Sequence, residues 1–269
     1  MKKMVCAIAL CCFCFASWSQ FENKLADLGL RGNVASLTER EYQLTNYDYN
    51  SKKEERRAIY TFDKNGSKTG EKYINPSGEV LYDGSLTYSP SGELLEEKVN
   101  NVEYSKKFVK RYSATAKEIV VNIEYESETP YVLEKYVLDS RKKVIQKIDY
   151  DKGEVFRTRS YTYNSSGMLQ SETQQMPGTD INFKYSYDGK GKLNRKTEVN
   201  ASGKVLHTQS YTYDKDGNVL TEVTSYTGDP QKLTLSYKYT LDAAGNWTEK
   251  QEYMDGKLFS VITREIVYF

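Results

Sequence analysis

Hydrophobic and polar residues alternate along much of the chain. From residue 181 to 188, Ile181, Phe183, Tyr185 and Tyr187 occupy every second position, with polar residues between them. The same period of two recurs over residues 119–125 and 233–241. Because successive side chains of a β-strand point to opposite faces, this pattern predicts strands with one aromatic-rich face. A more hydrophilic segment of similar length follows each of them, as at residues 168–175 and 247–253.

A turn motif follows each aromatic-rich segment. It reads Tyr-x-Tyr-Asp-x-x-Gly in its clearest copy, Tyr211 to Gly217. Its glycine slot recurs every 24 to 28 residues, at positions 66, 92, 116, 142, 167, 191, 217 and 245. Such a period predicts tandem structural repeats, each made of two strands joined by this turn, which we call the main turn.

A second kind of turn separates successive repeats. Six of these second turns contain a glycine, at positions 78, 153, 178, 203, 228 and 256. Asn100-Asn101 and the polar run 126–130 fill the two remaining slots. Turns therefore alternate with segments of strand length, and the residues in them tolerate positive φ or bond their own backbone.

The pattern predicts an all-β fold, an antiparallel up-and-down meander of about sixteen strands in tandem two-stranded repeats. Residues 34–47 and 258–268 are predicted as strands at the two ends. Strand twist prevents so wide a sheet from lying flat, so the sheet must coil, close or fold over. We expect a strongly curved or spiralling sheet with tyrosine rows on its inner face. Residues 20–269 are predicted as one domain, in which residues 20–33 form a short N-terminal cap.

Composition narrows the range of possible functions. Lysine and arginine number 38 against 37 acidic residues, and the two signs are interspersed along the chain. The sequence therefore shows no basic stripe of the kind that indicates nucleic-acid binding. All four cysteines lie within residues 1–19, and His207 is the only histidine, which excludes thiolate and multi-histidine metal sites from the rest of the chain. We therefore predict no catalytic, metal or cofactor-binding residues, and the ligand-binding residues stay unknown.

The motif resembles the YD repeat of the Rhs family, most closely over residues 211–220 and more loosely over 239–247. The resemblance spans about residues 58–256, with four or five good copies. It implies β-hairpin sheets that curl into shells, and carbohydrate binding in some members. The chain is far shorter than the large Rhs proteins and shows no toxin segment at its C-terminus, so it looks more like the small secreted members of Gram-negative bacteria.

Several candidate functional residues also have simpler structural explanations. His207 has no acid or nucleophile near it in the sequence, which favours a packed or solvated strand histidine. The main-turn aspartates (Asp63, Asp188, Asp214 and Asp242) resemble calcium ligands, but Asx-turns explain them more simply. The tyrosine rows could stack on sugar rings or simply pack the core, and Trp247 is the residue to watch for glycan binding.

The leading interpretation is a secreted or cell-envelope binding module, not an enzyme, whose partner is a glycan or an envelope protein. The alternatives are a glycoside hydrolase-like enzyme that uses dispersed carboxylates, a purely structural repeat protein, and an outer-membrane barrel. The last requires an outward apolar face on every strand, and residues 168–175 offer none.

The N-terminus has the features of an export signal. Lys2 and Lys3 precede an apolar stretch, residues 4–15, that is too short to span a bilayer as a helix. We therefore expect no membrane span in the mature chain, and a location in the periplasm, at the cell surface or outside the cell.

We predict cleavage between Ser19 and Gln20, because Ser17 and Ser19 supply the small residues that signal peptidase needs at the −3 and −1 positions. The intact mass of the exported protein should match a chain that starts at Gln20. A chain that starts at a lipid-modified cysteine would contradict this prediction.

Overall fold

The computed structural model describes residues 24–269, so the predicted signal peptide lies outside the described residues. Two short 3₁₀ helices occupy Leu25–Leu28 and Tyr49–Ser51. The remaining elements are eighteen strands: β1 (Val34–Gln43), β2 (Lys53–Phe62), β3 (Lys68–Ile74), β4 (Val80–Tyr88), β5 (Leu94–Asn101), β6 (Lys106–Ala114), β7 (Glu118–Tyr125), β8 (Tyr131–Leu138), β9 (Val144–Asp151), β10 (Glu154–Tyr163), β11 (Leu169–Met176), β12 (Thr179–Tyr187), β13 (Leu193–Val199), β14 (Val205–Tyr213), β15 (Val219–Tyr226), β16 (Lys232–Leu241), β17 (Trp247–Met254) and β18 (Lys257–Tyr268).

The strands form one closed antiparallel sheet. Each strand pairs with the next along the chain, as β2 does with β3 and β17 with β18. The first and last strands also pair with each other, from Val34 opposite Tyr268 to Gln43 opposite Ser260. This pairing turns the meander into an eighteen-stranded barrel.

The all-β antiparallel meander is confirmed, but two parts of the prediction are wrong. The eight repeats supply sixteen strands, β2 to β17, and the terminal strands β1 and β18 raise the number to eighteen. The sheet is also closed, where a strongly curved or spiralling sheet was expected. Pairing of β1 with β18 is the reason, because it satisfies the two edges that an open sheet would leave exposed.

The two faces of the sheet differ in burial. Tyr136, Tyr211 and Val121 lie on one face and are buried, whereas Thr61 and Thr212 on the other face are exposed. Residues 24–33, which we call the N-terminal segment, pack on the tyrosine-bearing face at the main-turn end of the barrel. The tyrosine-bearing face is therefore the inner face, and the outer face carries mainly serine, threonine and charged residues.

A β-bulge adjoins most main turns. In the β14–β15 hairpin, Thr212 faces Thr221 but Tyr213 faces Val219, so Leu220 is the extra residue. The β4–β5 hairpin has the same shift at Tyr88, where Leu95 is the extra residue. In both hairpins the extra leucine is exposed, and in β15 the bulge turns Val219 inward, where it is buried opposite Tyr213.

In four of the repeats within residues 24–269, the last tyrosine of the motif ties the repeat to the preceding one. Its hydroxyl donates a hydrogen bond to a backbone carbonyl near the start of the second strand of that repeat. Four such tyrosine tethers are present: Tyr88 to Lys68 (2.7 Å), Tyr163 to Val144 (2.6 Å), Tyr187 to Leu169 (2.8 Å) and Tyr213 to Leu193 (2.7 Å). Burial raises the pKa of Tyr213 to about 12, so this hydroxyl keeps its proton at neutral pH.

The N-terminal segment covers part of the main-turn end. Leu30 packs with Val34, Leu37 and Phe62, and Leu25 donates its backbone N–H to the Gly66 carbonyl. The segment thus joins the start of β1 to the first main turn. Within residues 24–269, no helix has both the length and the apolarity to cross a membrane.

We predict that Gly217→Val lowers the free energy of unfolding by about 1 kcal/mol or more, because Gly217 has φ +98° and a β-branched residue there is strained. A Cβ would also lie 2.9 Å from Nζ of Lys192. Thermal and urea unfolding measure the change.

Gly189→Val provides the control, since Gly189 lies in the neighbouring main turn, has no positive φ and would place its Cβ in open space. Equal losses of stability in the two variants would contradict the conformational explanation.

Candidate functional site

The main-turn aspartates accept hydrogen bonds from the backbone of their own turns. Oδ1 of Asp214 accepts hydrogen bonds from the backbone N–H groups of Asp216 (2.9 Å) and Asn218 (2.8 Å). Asp63, Asp188 and Asp242 accept the equivalent pairs. Burial alone would raise the pKa of Asp214, but the hydrogen bonds from Asn218 and the turn backbone outweigh it and lower that pKa. These are Asx-turns, and no group of residues in 24–269 has the composition and proximity of a metal site.

The inner face carries a belt of ion pairs between its tyrosines. Nζ of Lys110 lies 3.0 Å from Glu97, whose carboxylate also accepts from the hydroxyls of Tyr82 and Tyr112. Further around the barrel, Asp149 binds Lys147, Arg157 and Arg159. Pairing of this kind compensates for the partial loss of water around each charge.

His207 does have an acidic neighbour, which the sequence did not reveal. Nδ1 of His207 lies 3.2 Å from Oε2 of Glu198, the residue opposite it on β13. Its ring also packs on Tyr226, with 5.6 Å between the ring centroids. The pair lies on the inner face near the second-turn end of the barrel.

Trp247 is on the inner face but is covered. The guanidinium carbon of Arg264 lies 3.5 Å from the centroid of its ring, and the Tyr239 ring is 6.3 Å away. The Arg264 guanidinium group thus occupies a face of the Trp247 ring on which a sugar would otherwise stack.

The second-turn end of the barrel bears a set of exposed apolar side chains, which we call the second-turn rim. Four are aromatic and all are more than half exposed: Tyr47 (56%), Tyr104 (66%), Phe156 (53%) and Tyr226 (53%). Four aliphatic residues accompany them: Val102, Val155, Val205 and Leu206. Exposed apolar groups gathered at one end of a protein commonly mark an interaction site.

Aromatic pairs line the inside of the same opening. The rings of Tyr73 and Tyr82 are 5.3 Å apart, and those of Phe108 and Tyr125 are 5.5 Å apart. Arg56 lies over the Tyr73 ring at 5.6 Å. Rings that alternate with charged and amide groups suit a ligand with both apolar and hydroxyl-bearing surfaces.

The second-turn rim was not predicted from the sequence, because the second turns read there only as connections between strands. A signal was present, since Tyr104 and Phe156 lie at or beside turns where small or polar residues are usual. An aromatic residue there gains little from folding, which is a reason to consider a binding role.

A closed barrel of tandem hairpins with an aromatic rim defines the class of this protein as a β-repeat barrel. Residues 131–265, about half of the chain, match a protein-family model described as "Uncharacterised protein", and the chain belongs to that family. No curated protein matches the sequence.

Several solved structures resemble the fold at low identity. A porin-like protein from Bacteroides uniformis is 13% identical, with 88% of this chain and 98% of that chain covered and a TM-score of 0.47. A porin-like protein from Bacteroides vulgatus is 11% identical, with coverage of 86% and 97% and a TM-score of 0.30. TcdB2-TccC3 without its hypervariable C-terminal region is 12% identical, with a TM-score of 0.30; 81% of this chain but only 16% of that chain is covered. We draw no functional residue from these likenesses.

We predict that Glu97→Gln lowers stability at neutral pH and makes unfolding less sensitive to acid. Burial alone would raise the pKa of Glu97, but Lys110, Tyr82 and Tyr112 outweigh it and lower the pKa below its ordinary value of 4.5. The stabilisation is therefore present above about pH 4.5 and is lost as the pH falls through the lowered pKa. Urea unfolding at a series of pH values measures both effects.

Glu222→Gln should behave in the opposite way. Burial raises the pKa of Glu222 against the opposing effects of Gln209 and Lys196, so its charged form is disfavoured in the folded protein. The substitution should be neutral or stabilising at pH 7. The same response from both variants would contradict this account of the inner face.

Proposed function

We propose that the protein is an exported, non-enzymatic binding module of the bacterial cell envelope, and that it takes a glycan at the second-turn rim. The supporting observation is that, within residues 24–269, four aromatic residues are more than half exposed at the second-turn end, compared with one, Phe269, at the main-turn end. Tyr104, Phe156 and Tyr226 expose their rings on the rim, and Tyr73 and Tyr82 pair just inside it. Aromatic faces pack on the apolar faces of sugar rings, and the neighbouring charged and amide groups can bond sugar hydroxyls.

The polar outer face supports the proposal that the barrel stands in water. Thr61, Ser85 and Thr212 project outward and are exposed, and Lys72 and Lys98 are exposed on the same face. A lipid-facing barrel needs an apolar band there. Export through the predicted signal peptide then places the barrel in the periplasm, at the cell surface or outside the cell.

The motif supports kinship with the YD-repeat proteins. In the clearest copy, Asp214 caps the main turn, Gly217 supplies a positive φ, and Tyr213 tethers the repeat to the one before it. Three of the motif's signature positions thus have defined structural tasks. The shared motif therefore indicates a shared way of building hairpins, whatever the ligand.

A protein partner is the second candidate, favoured by the aliphatic part of the rim. Val102, Val155 and Leu206 are exposed beside the aromatic residues. Aliphatic side chains have little to offer a sugar, whereas mixed aliphatic and aromatic patches are common in protein interfaces.

The third candidate function is that of an enzyme that uses dispersed carboxylates. Burial raises the pKa of Glu41, and the nearby charges of Glu252, Glu55 and Glu39 raise it further, while Arg56 opposes them. An acid with a raised pKa near a second carboxylate is the arrangement that glycoside hydrolysis needs. Release of reducing sugar from a bound glycan would identify this activity and contradict the binding proposal.

Glycan binding at the second-turn rim is tested with the triple variant Tyr104→Ser, Phe156→Ser and Tyr226→Ser. Its binding to arrays of immobilised bacterial polysaccharides and glycosides is compared with that of the wild-type protein. We expect the wild-type protein to bind one class of glycan and the variant to lose at least tenfold in affinity, because aromatic contacts carry much of such binding.

The matched control is Leu95→Ser with Leu220→Ser, which removes exposed leucines (46% and 39%) from the opposite end of the barrel. Both proteins should keep the wild-type melting temperature. Undiminished glycan binding by the rim variant would refute the proposed site, and binding only to purified envelope proteins would favour the protein partner.

A further inference from the structure

A depression of about 260 Å³ opens inside the second-turn rim, between β2, β3, β4 and the β5–β6 turn. Its lining consists of Arg56, Tyr73, Leu81, Tyr82, Asn101 and Glu103. The volume falls below the roughly 300–1,000 Å³ of pockets for drug-sized ligands. It therefore suits a single small ring better than an extended molecule.

Gly84 leaves room for the Tyr82 ring, which lines this depression. A Cβ at Gly84 would lie 3.0 Å from Cε1 of Tyr82, so the Tyr82 ring lies against the strand where a side chain would otherwise stand. The Tyr82 hydroxyl is held by Glu97 at 3.0 Å, and the Tyr73 hydroxyl is held by Glu71. Both rings are thus fixed by their own hydrogen bonds, and Arg56 lies over the Tyr73 ring. The ring surfaces that line the depression are therefore presented to a ligand without an entropic cost for ordering them.

Polar groups at the mouth are available for a ligand. Oδ1 of Asn101 accepts from the backbone of Tyr104 at 3.2 Å, while its amide nitrogen has no hydrogen-bond partner within residues 24–269. Among the same residues, the Glu103 carboxylate has no ion-pair or hydrogen-bond partner. An amide donor and a carboxylate acceptor close to each other can bond two hydroxyls of one molecule.

The charges of the lining select against an ionic ligand. Arg56 contributes one positive charge and Glu103 one negative charge, and Arg56 already lies 3.6 Å from Glu41. A phosphate or a sugar acid would gain no uncompensated cation here and would meet the Glu103 carboxylate. A neutral, hydroxyl-rich ring meets neither obstacle.

We infer that this depression is a subsite for one neutral pyranose unit of a glycan, a conclusion that rests on the proposed glycan-binding function. The sugar ring packs against Tyr73 and Tyr82, the Asn101 amide donates to one hydroxyl, and the Glu103 carboxylate accepts from another. The rest of the glycan extends over the exposed rim.

The test uses NMR titrations of the purified protein with methyl glycosides of glucose, galactose, mannose and N-acetylglucosamine, and with glucuronic acid and glucose 6-phosphate. We expect at least one neutral glycoside to shift the side-chain amide signals of Asn101. Asn101→Ala and Glu103→Ala should each weaken its binding about tenfold, and Gly84→Ala should weaken it by displacing the Tyr82 ring. The two charged sugars should bind more weakly.

Asn122→Ala and Glu128→Ala are the controls, because Asn122 lies on the outer face of β7 and Glu128 in a different second turn. A neutral glycoside whose affinity the pocket variants leave unchanged would overturn the subsite but not the glycan-binding function. Tighter binding of glucuronic acid would overturn the neutral-ring assignment. No binding of any glycan, on the arrays or in solution, would overturn both.

Discussion

The rest of the structure depends on the pairing of the first strand, β1, with the last strand, β18. The two strands run antiparallel from Val34 opposite Tyr268 to Gln43 opposite Ser260, and each would otherwise expose a full edge of unpaired backbone groups. Closure leaves no free sheet edge within residues 24–269. It also divides the side chains into an inner set and an outer set, and this division gives the tyrosine rows, the ion pairs and the two openings of the barrel their positions.

Arg264 reinforces the closure. Its side chain is only 7% exposed, and Nε donates to Glu39 on β1 at 3.0 Å. Nη1 donates to the carbonyl of Leu28 at 3.1 Å, and the guanidinium group lies over Trp247 on β17. Burial lowers the pKa of this arginine, and Glu39 opposes the effect. One side chain thus connects both terminal strands, the N-terminal segment and the last repeat. These contacts offset the cost of removing the guanidinium charge from water.

The repeat, the turns and the strand alternation could be predicted from sequence because they depend on neighbours along the chain. The main-turn glycines at 66, 92, 167, 191, 217 and 245 all have positive φ, and Lys142 has positive φ at its degenerate slot. Closure depends instead on residues more than 200 positions apart, and no local pattern encodes it. The contact between His207 and Glu198 was missed for a different reason: the two residues are close in sequence, but their pairing depends on the exact register of β13 and β14 across a second turn. The rim residues could have been noticed as apolar side chains at turns, but their gathering at one opening follows only from the closed barrel.

The tyrosine tethers have a consequence for how such barrels change in evolution. Each tether joins a repeat only to the repeat before it, as Tyr187 does to Leu169 and Tyr213 to Leu193. Duplication of one unit in the gene would copy a hairpin together with its tether, and no contact inside the other units would need to change. Two more strands would lengthen the circumference by about 10 Å at the usual strand spacing, and the terminal strands would still meet. The width of the barrel is therefore a quantity that recombination can adjust in whole repeats, separately from the residues that line its opening.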